Sequence, residues 1–238
     1  MRSSITLGLL LVSLSPVVVQ AQTCLGLPSF ARVPAHVSAA VTSGDNLTQL
    51  GGRFAFGGSA VGPFASVEAS LVDIDGIDEG AVSIGGAVGF QIAANSPGSA
   101  SGSRPRNQRS SNVRTMQWCP MMSVDYQSGP EFDFIGETLD LSALTISAGA
   151  TLGIPFVAGP NMQLIPTGGL ALAYTKVSAD AGAFGSGSDA ETYGIMSLGV
   201  GFLMNETISV KPFVGIPIGL DGADSRVGIM ASFGLGQR

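Results

Sequence analysis

The sequence has few charged residues, and beyond its N-terminus it has no long apolar run. Asp, Glu, Lys and Arg make up 12% of the 238 residues, whereas 45% are hydrophobic. A soluble domain has about 25% charged residues. A helical membrane protein needs runs of about 20 apolar residues, and here Gly, Ser and Thr interrupt each apolar series. The low charge is atypical of a soluble domain, and the interrupted runs exclude helical spans after the N-terminal segment.

Histidine is equally scarce. His36 is the single histidine, and the only cysteines are Cys24 and Cys119. A zinc site needs about four nitrogen or sulfur ligands, so we expect no metal site. No phosphate-binding loop, dinucleotide fingerprint or Gly-x-Ser-x-Gly motif occurs in a strand–turn–helix context. The sequence therefore predicts no enzyme and no cofactor, and its net charge of −6 argues against nucleic acid as a partner.

The N-terminus has the pattern of a secretory signal peptide. Arg2 provides a basic start, residues 5–14 are apolar, and the small residues around Ala21 resemble a cleavage site. The alternative, a transmembrane anchor, needs a longer apolar core than this one. We expect residues 1–21 to be a signal peptide and residues 22–33 to be a periplasmic segment.

An exported chain with two cysteines favours one disulfide, between Cys24 and Cys119. Two buried free thiols are the alternative. The strand count described next places both cysteines at the periplasmic end of the molecule.

The sequence has 34 glycines, and they occur within a regular alternation of apolar and small polar residues. Residues 142–176 show it as two long strands joined by a turn, and residues 81–92 show it most regularly. Side chains of a strand alternate between its faces. The apolar face is continuous, and the longer strands approach the roughly 9–11 residues that cross a bilayer. We count about ten strands, with eight as the alternative, over residues 34–238. An Arg-, Ser- and Gly-rich connection, residues 94–118, interrupts them.

The alternation also places charged side chains on the inward face. These are Arg53, Glu68, Asp125 and Lys211, two of each sign among small residues. One interpretation is a charged constriction of a pore, since lumen charges tune selectivity. The other, which we favour, is a set of ion pairs that fill the lumen.

The signal peptide, the Gly-rich alternating strands and the amphipathic last strand resemble the small outer-membrane β-barrel proteins of Gram-negative-type bacteria. The resemblance covers nearly the whole mature chain. It implies an all-β fold, a closed antiparallel transmembrane barrel in the outer membrane. The implied partners are outer-membrane lipid, lipopolysaccharide and the barrel-assembly machinery. The terminal aromatic residue of such barrels is displaced here, because five residues follow Phe233.

These observations predict a porin-like outer-membrane protein with a structural, adhesive or passive pore role. The alternative is a secreted soluble β-sandwich with a binding or adhesive surface. A soluble sheet would carry charge on its outer face, and these strands carry almost none on either face.

Overall fold

The computed structural model describes residues 35–44, 46–57, 62–76, 80–95, 115–134, 137–180, 182, 185–205, 207–220 and 223–236. Within these ranges no helix has the length and apolar character needed to cross a membrane. The predicted signal peptide, the segment 22–33 and Cys24 lie outside the described residues.

The described residues form eleven strands. They are β1 (Ala35–Gly44), β2 (Leu47–Gly57), β3 (Gly62–Ile74), β4 (Ala81–Asn95), β5 (Thr115–Phe134), β6 (Glu137–Gly153), β7 (Phe156–Gly159), β8 (Met162–Asp180), β9 (Ser186–Met204), β10 (Ile208–Ile218) and β11 (Arg226–Leu235).

Ten of these strands close into a ring. Each strand from β1 to β5 pairs with the next, β6 pairs with β8, and the pairing continues through β9 and β10 to β11. Strand β11 pairs in turn with β1, and every pairing is antiparallel. The predicted closed ten-stranded barrel is therefore confirmed. The β-sandwich alternative is wrong, because a sandwich keeps open sheet edges that this ring does not have.

The strands are staggered around the ring. Stepping from Leu203 on β9 to each directly opposite partner leads once around the barrel and returns to β9 at Glu191, twelve positions away. Such a stagger accompanies strands tilted by about 35–45°. The residues passed on the way face the lumen, and we call them the central row: Ser209, Ser232, Ser38, Arg53, Glu68, Gly85, Asp125, Thr145 and Thr175.

The outside of the ring is apolar, as the alternation predicts. On β4, Val82 and Val88 are 51% and 59% exposed, whereas Ser83 between them is 3% exposed. In a closed ring the exposed side chains point away from the barrel and the buried ones point into it. The exposed apolar side chains therefore form the surface that meets lipid.

Aromatic residues frame this apolar belt on two levels. Phe56, Trp118 and Phe233 point outward near the end of the barrel where Ala35 pairs with Leu235. We call this the periplasmic end, following the sequence-based prediction. Tyr126 and Tyr174 point outward on the side of the ring nearer the other end. Aromatic girdles at both membrane interfaces are typical of transmembrane barrels.

One side of the barrel is taller than the other. Strands β5, β6, β8 and β9 have 17 to 20 residues, while the other six ring strands have 10 to 15. Strand β8 continues for six residues beyond Tyr174, and β9 pairs with it along this whole extension. The Gly, Ser and acidic residues of 128–140 and of 178–190 predict two loops, but much of both segments is strand. We call β5, β6, β8 and β9 the tall side.

Strand β7 stands outside the ring. The sequence predicted one continuous strand up to Phe156, but β6 ends at Gly153 and β7 begins only after Pro155. Proline has no N–H to donate to the ladder, so the strand breaks there. After the break, β7 pairs with the first residues of β8.

Strand structure also enters both ends of the predicted connection 94–118. Strand β4 continues to Asn95 and β5 begins at Thr115. The intervening residues 96–114 lie outside the described residues.

Candidate functional site in the barrel lumen

The candidate site is built on the central row, where neighbouring strands place inward side chains directly opposite one another. Arg53 of β2 lies opposite Glu68 of β3, Glu68 lies opposite Gly85 of β4, and Gly85 lies opposite Asp125 of β5. Three of the four predicted lumen charges thus lie in this one row of directly opposite residues. This follows from the register, because the alternation alone sets only the face.

Arg53 and Glu68 form a buried ion pair. Arg53 Nε donates a hydrogen bond to Glu68 Oε2 at 2.8 Å, and Arg53 Nη2 contacts the same oxygen. The two side chains are only 3% and 9% exposed. Charge-assisted hydrogen bonds of this kind are stronger than neutral ones, and burial makes each partner depend on the other.

Asp125 extends this pair across β4. Asp125 lies directly opposite Gly85 and is 1% exposed, and its Oδ2 accepts a hydrogen bond from the Ser123 hydroxyl at 3.4 Å. Its carboxylate extends over Gly85, which separates it from Glu68 in the register. Arg53, Glu68 and Asp125 therefore form one buried cluster of charged groups shielded from water.

Gly85 makes this placement possible. A Cβ atom on Gly85 would overlap the Asp125 carboxylate and would lie 2.9 Å from the Val124 carbonyl oxygen. The missing side chain leaves a gap that the Asp125 carboxylate occupies. Sequence reasoning missed Gly85, because the sequence contains many inward glycines. Only the register shows that this one lies between Glu68 and Asp125.

Replacing Gly85 with alanine is expected to destabilise the barrel by about 1–3 kcal/mol, because the new methyl group overpacks the gap and displaces Asp125. Urea unfolding in lipid vesicles measures this loss. Gly52→Ala is the matched control, since the nearest atom to a Cβ there is 4.0 Å away. Equal stability of the two variants would show that the gap at Gly85 has no role.

Lys211 also points inward and is 2% exposed. It lies two positions from Ser209 on β10 and directly opposite Met230 of β11. Its chain passes over β9, where a Cβ on Gly199 would lie 2.9 Å from Lys211 Cε. Lys211 is thus a lumen residue as predicted, but it lies outside the central row.

Hydroxyl and amide groups lie around the ring beside Arg53, Glu68 and Asp125, and we call all these groups together the polar layer. The Thr145 and Thr175 hydroxyls are 2.9 Å apart, and the Tyr193 hydroxyl lies 3.2 Å from Thr175. On the other side, Gln49 Nε2 donates to Ser70 Oγ at 2.7 Å. A cavity of about 20 Å³ borders Arg53, Gln49 and Ser70, which is room for about one water molecule.

An apolar layer lies within the lumen, towards the end of the barrel opposite the periplasmic one. Its buried members come from opposite sides of the ring and pack into one cluster: Leu47, Val72, Ile74, Ala81, Leu141, Ala143, Ala173, Val177, Tyr193 and Ile195. Sequence reasoning missed this layer. The available signal was the inward parity of Leu141, Ala143 and Val177 at the ends of the hairpin predicted over residues 142–176.

Two further predictions concern sulfur and metal. Cys119 points into the lumen and packs with Phe64, Ala87 and Met121, while Cys24 lies outside the described residues, so their disulfide stays a prediction. Within the described ranges, no group of three or more His, Cys, Asp or Glu side chains could hold a metal ion.

No protein-family model matches the sequence, and no curated protein matches it. Solved structures do match its fold. The translocator domain of the autotransporter NalP from Neisseria meningitidis is 11% identical, with 85% of this chain and 86% of that one covered and a TM-score of 0.50. The chain has the fold of the outer-membrane β-barrel proteins.

Two other outer-membrane β-barrels match less closely in shape. The N-terminal β-barrel domain of OprF from Pseudomonas aeruginosa is 11% identical over 84% of this chain and 96% of that one, with a TM-score of 0.33. Outer membrane phospholipase A from Escherichia coli is 12% identical over 86% and 92%, with a TM-score of 0.30. Together with the apolar belt, the fold places this outer-membrane β-barrel in the outer membrane.

Proposed function

We propose that this outer-membrane β-barrel has a structural and adhesive role, with a closed lumen and no catalytic site. The observation that carries the proposal is the apolar layer, which fills the lumen between opposite walls. An apolar constriction excludes water and ions by dewetting. The layer therefore argues against a passive pore.

The polar layer supports the same conclusion. Arg53, Asp125 and Lys211 are all at most 5% exposed, although side chains lining a water-filled channel would be accessible to water. The buried ion pair fills the lumen and joins β2 to β3. This favours the interpretation of the predicted lumen charges as internal ion pairs.

The tall side offers the surface for adhesion. Beyond the level of Tyr126 and Tyr174, an open groove of about 660 Å³ crosses β5, β6, β8 and β9. Its lining is mainly polar and includes Asp140, Lys176 and Asp180. A polar surface held above the lipid by paired strands is suited to contacts with other molecules. We expect lipopolysaccharide to surround its base and the barrel-assembly machinery to insert the chain.

A gated pore is the second candidate, because the lumen does hold charged groups that tune selectivity in open barrels. Planar-bilayer recording separates the two. We expect the folded wild-type barrel to give no discrete conductance steps. The matched variant Leu141→Ser with Val177→Ser makes the apolar layer polar, so any conductance should appear there first. Regular steps from the wild type would overturn the closed-lumen proposal.

A further inference from the structure

We infer that the groove on the tall side binds a neutral saccharide chain, which lies across the outward faces of β5, β6, β8 and β9. The inference deepens the adhesive role proposed above, and it rests on that proposal for the tall side to face away from the cell. The residues that form the site belong to paired strands. Their positions are therefore set by the fold, which lowers the cost of ordering them around a ligand.

The register arranges the outward side chains of the groove in three rows. The middle row consists of four serines, each directly opposite the next: Ser128, Ser142, Ser178 and Ser188. The row nearer the lipid contains Tyr126 and Lys176, which both lie opposite Leu144. The row nearer the rim contains Asp140, Asp180 and Ser186. Directly opposite residues share a face of the sheet, so all these polar groups meet on one surface.

The spacing of the serines suits a chain of sugar rings. Neighbouring strands lie about 4.8 Å apart, so the middle row offers one hydroxyl for roughly each length of a sugar ring. A serine hydroxyl both donates and accepts hydrogen bonds, as sugar hydroxyls do. The groove volume of about 660 Å³ lies within the range of about 300–1,000 Å³ that small-molecule sites have. A short oligosaccharide therefore fits the groove and can bond to each serine in turn.

The charges of the groove favour a neutral ligand over an anionic one. Its lining carries two carboxylates, of Asp140 and Asp180, and one ammonium group, of Lys176, which gives a net charge of −1 among the described lining residues. The two carboxylates lie directly opposite each other and repel phosphate or sulfate groups. Carboxylates accept hydrogen bonds and the ammonium group donates them, so a neutral sugar hydroxyl finds a partner for each of its two capacities.

These charged groups are available to a ligand. Within the part of the chain that the structure describes, the side chains of Asp140 and Lys176 form neither an ion pair nor a hydrogen bond. Asp180 Oδ1 accepts a hydrogen bond from the Gly182 backbone N–H at 3.0 Å, which orients its carboxylate. Asp140, Lys176 and Asp180 are all exposed.

The composition of the lining argues against a protein partner. Protein–protein interfaces are enriched in aromatic residues, Met and Arg, and they are depleted in Ser, Asp, Lys and Ala. The groove has five serines, two aspartates and one lysine, and Tyr126 is the one aromatic residue among its described lining. Tyr126 is 46% exposed at the lipid end of the groove, so its ring offers an apolar face to the C–H groups of a sugar.

Binding of the folded full chain to a printed array of oligosaccharides tests the inference. The array carries neutral chains of hexose and N-acetylhexosamine units, together with sulfated and phosphorylated forms of the same chains. The heat-modifiable gel shift in detergent confirms folding. We expect binding to neutral chains that changes less than about twofold between low and high salt, because no ion pair with the ligand is screened. Binding to the sulfated or phosphorylated chains alone, or to no chain, would overturn the inference.

Removing hydroxyls from the middle row tests the position of the ligand. For Ser142→Ala with Ser178→Ala we expect about tenfold weaker binding of the neutral chains, since two hydrogen bonds of ordinary strength are lost. Ser43→Ala with Thr48→Ala is the matched control. These two outward hydroxyls also lie directly opposite each other at the same end of the barrel, but away from the groove. Equal affinity of the two double variants would overturn the inference.

Removing the carboxylates tests their contact with the ligand. Asp140→Asn with Asp180→Asn keeps the size of both side chains and leaves Lys176 as the one charge of the described lining. We expect about tenfold weaker binding of the neutral chains, because hydrogen bonds to a carboxylate are stronger than those to an amide. Unchanged binding of the neutral chains would overturn the inference.

Adhesion of cells that display the barrel separates this inference from the adhesive role. Cells that adhere to a protein-coated surface, with a barrel that binds no neutral chain, would overturn the inference and leave the adhesive role intact. A barrel that binds neutral chains on the array, on cells that adhere to neither a protein-coated nor a saccharide-coated surface, would overturn the adhesive role and support the saccharide site.

Discussion

Replacing Glu68 with alanine is expected to destabilise the barrel by about 3–5 kcal/mol, because the Arg53 guanidinium then stays buried without the carboxylate that it bonds. A buried charge that loses its partner cannot recover its hydration when the lumen is closed. Urea unfolding in lipid vesicles measures the loss. The fluorescence of Trp118, the single tryptophan, reports the transition, since it points outward at the belt.

The double variant Arg53→Met with Glu68→Leu is the informative control. Removing both charges removes the desolvation cost together with the attraction, so we expect stability within about 1 kcal/mol of wild type, or above it. Val67→Ala, on the outward face of the same strand, controls for the loss of side-chain volume. A loss of less than about 1 kcal/mol for Glu68→Ala would mean that water reaches the pair, and would contradict the closed lumen.

Introducing arginine at Met122 is expected to cost about 2–4 kcal/mol in a bilayer, because the charge enters the lipid-facing belt between the two aromatic levels. Met122 points outward and is 57% exposed. Arginine has a similar length, so the change tests charge more than shape. Unfolding in vesicles is again the measurement.

Val157→Arg provides the matched control. Val157 is 75% exposed, but it lies on β7, after the break at the periplasmic end of β6. Placed outside the belt, an arginine there should change the free energy of unfolding by about 0–1 kcal/mol. Similar costs at both positions would contradict the assigned position of the belt.

The faces of the strands could be predicted from the sequence, because alternation is a local property. Val82, Ile84 and Val88 point outward as expected, and Arg53 and Lys211 point inward. The same reasoning correctly predicted a closed barrel and an apolar outer surface. Because side chains alternate between the two faces of a strand, the inward residues are determined once the other face must meet lipid.

Register and strand length could not be predicted in the same way. The placement of Glu68 and Asp125 on either side of Gly85 depends on pairings between three strands, which no single stretch of sequence records. Strand β5 also continues past Gly129 and Pro130, which are typical turn residues. Pairing with β6 resumes after a register shift there, so tertiary context overrides the local turn signal.

The uneven rim determines how a large molecule first meets this protein. On the tall side, the strands carry polar residues such as Lys176 and Asp180 well past the tyrosines. The strands β10, β11, β1 and β2 are only 10 or 11 residues long, which is about what one crossing of the bilayer requires. If the tall side faces outwards as the proposed function requires, antibodies and other macromolecules meet one sector of the circumference first. We then expect sequence changes confined to that sector to alter recognition while the barrel wall stays the same.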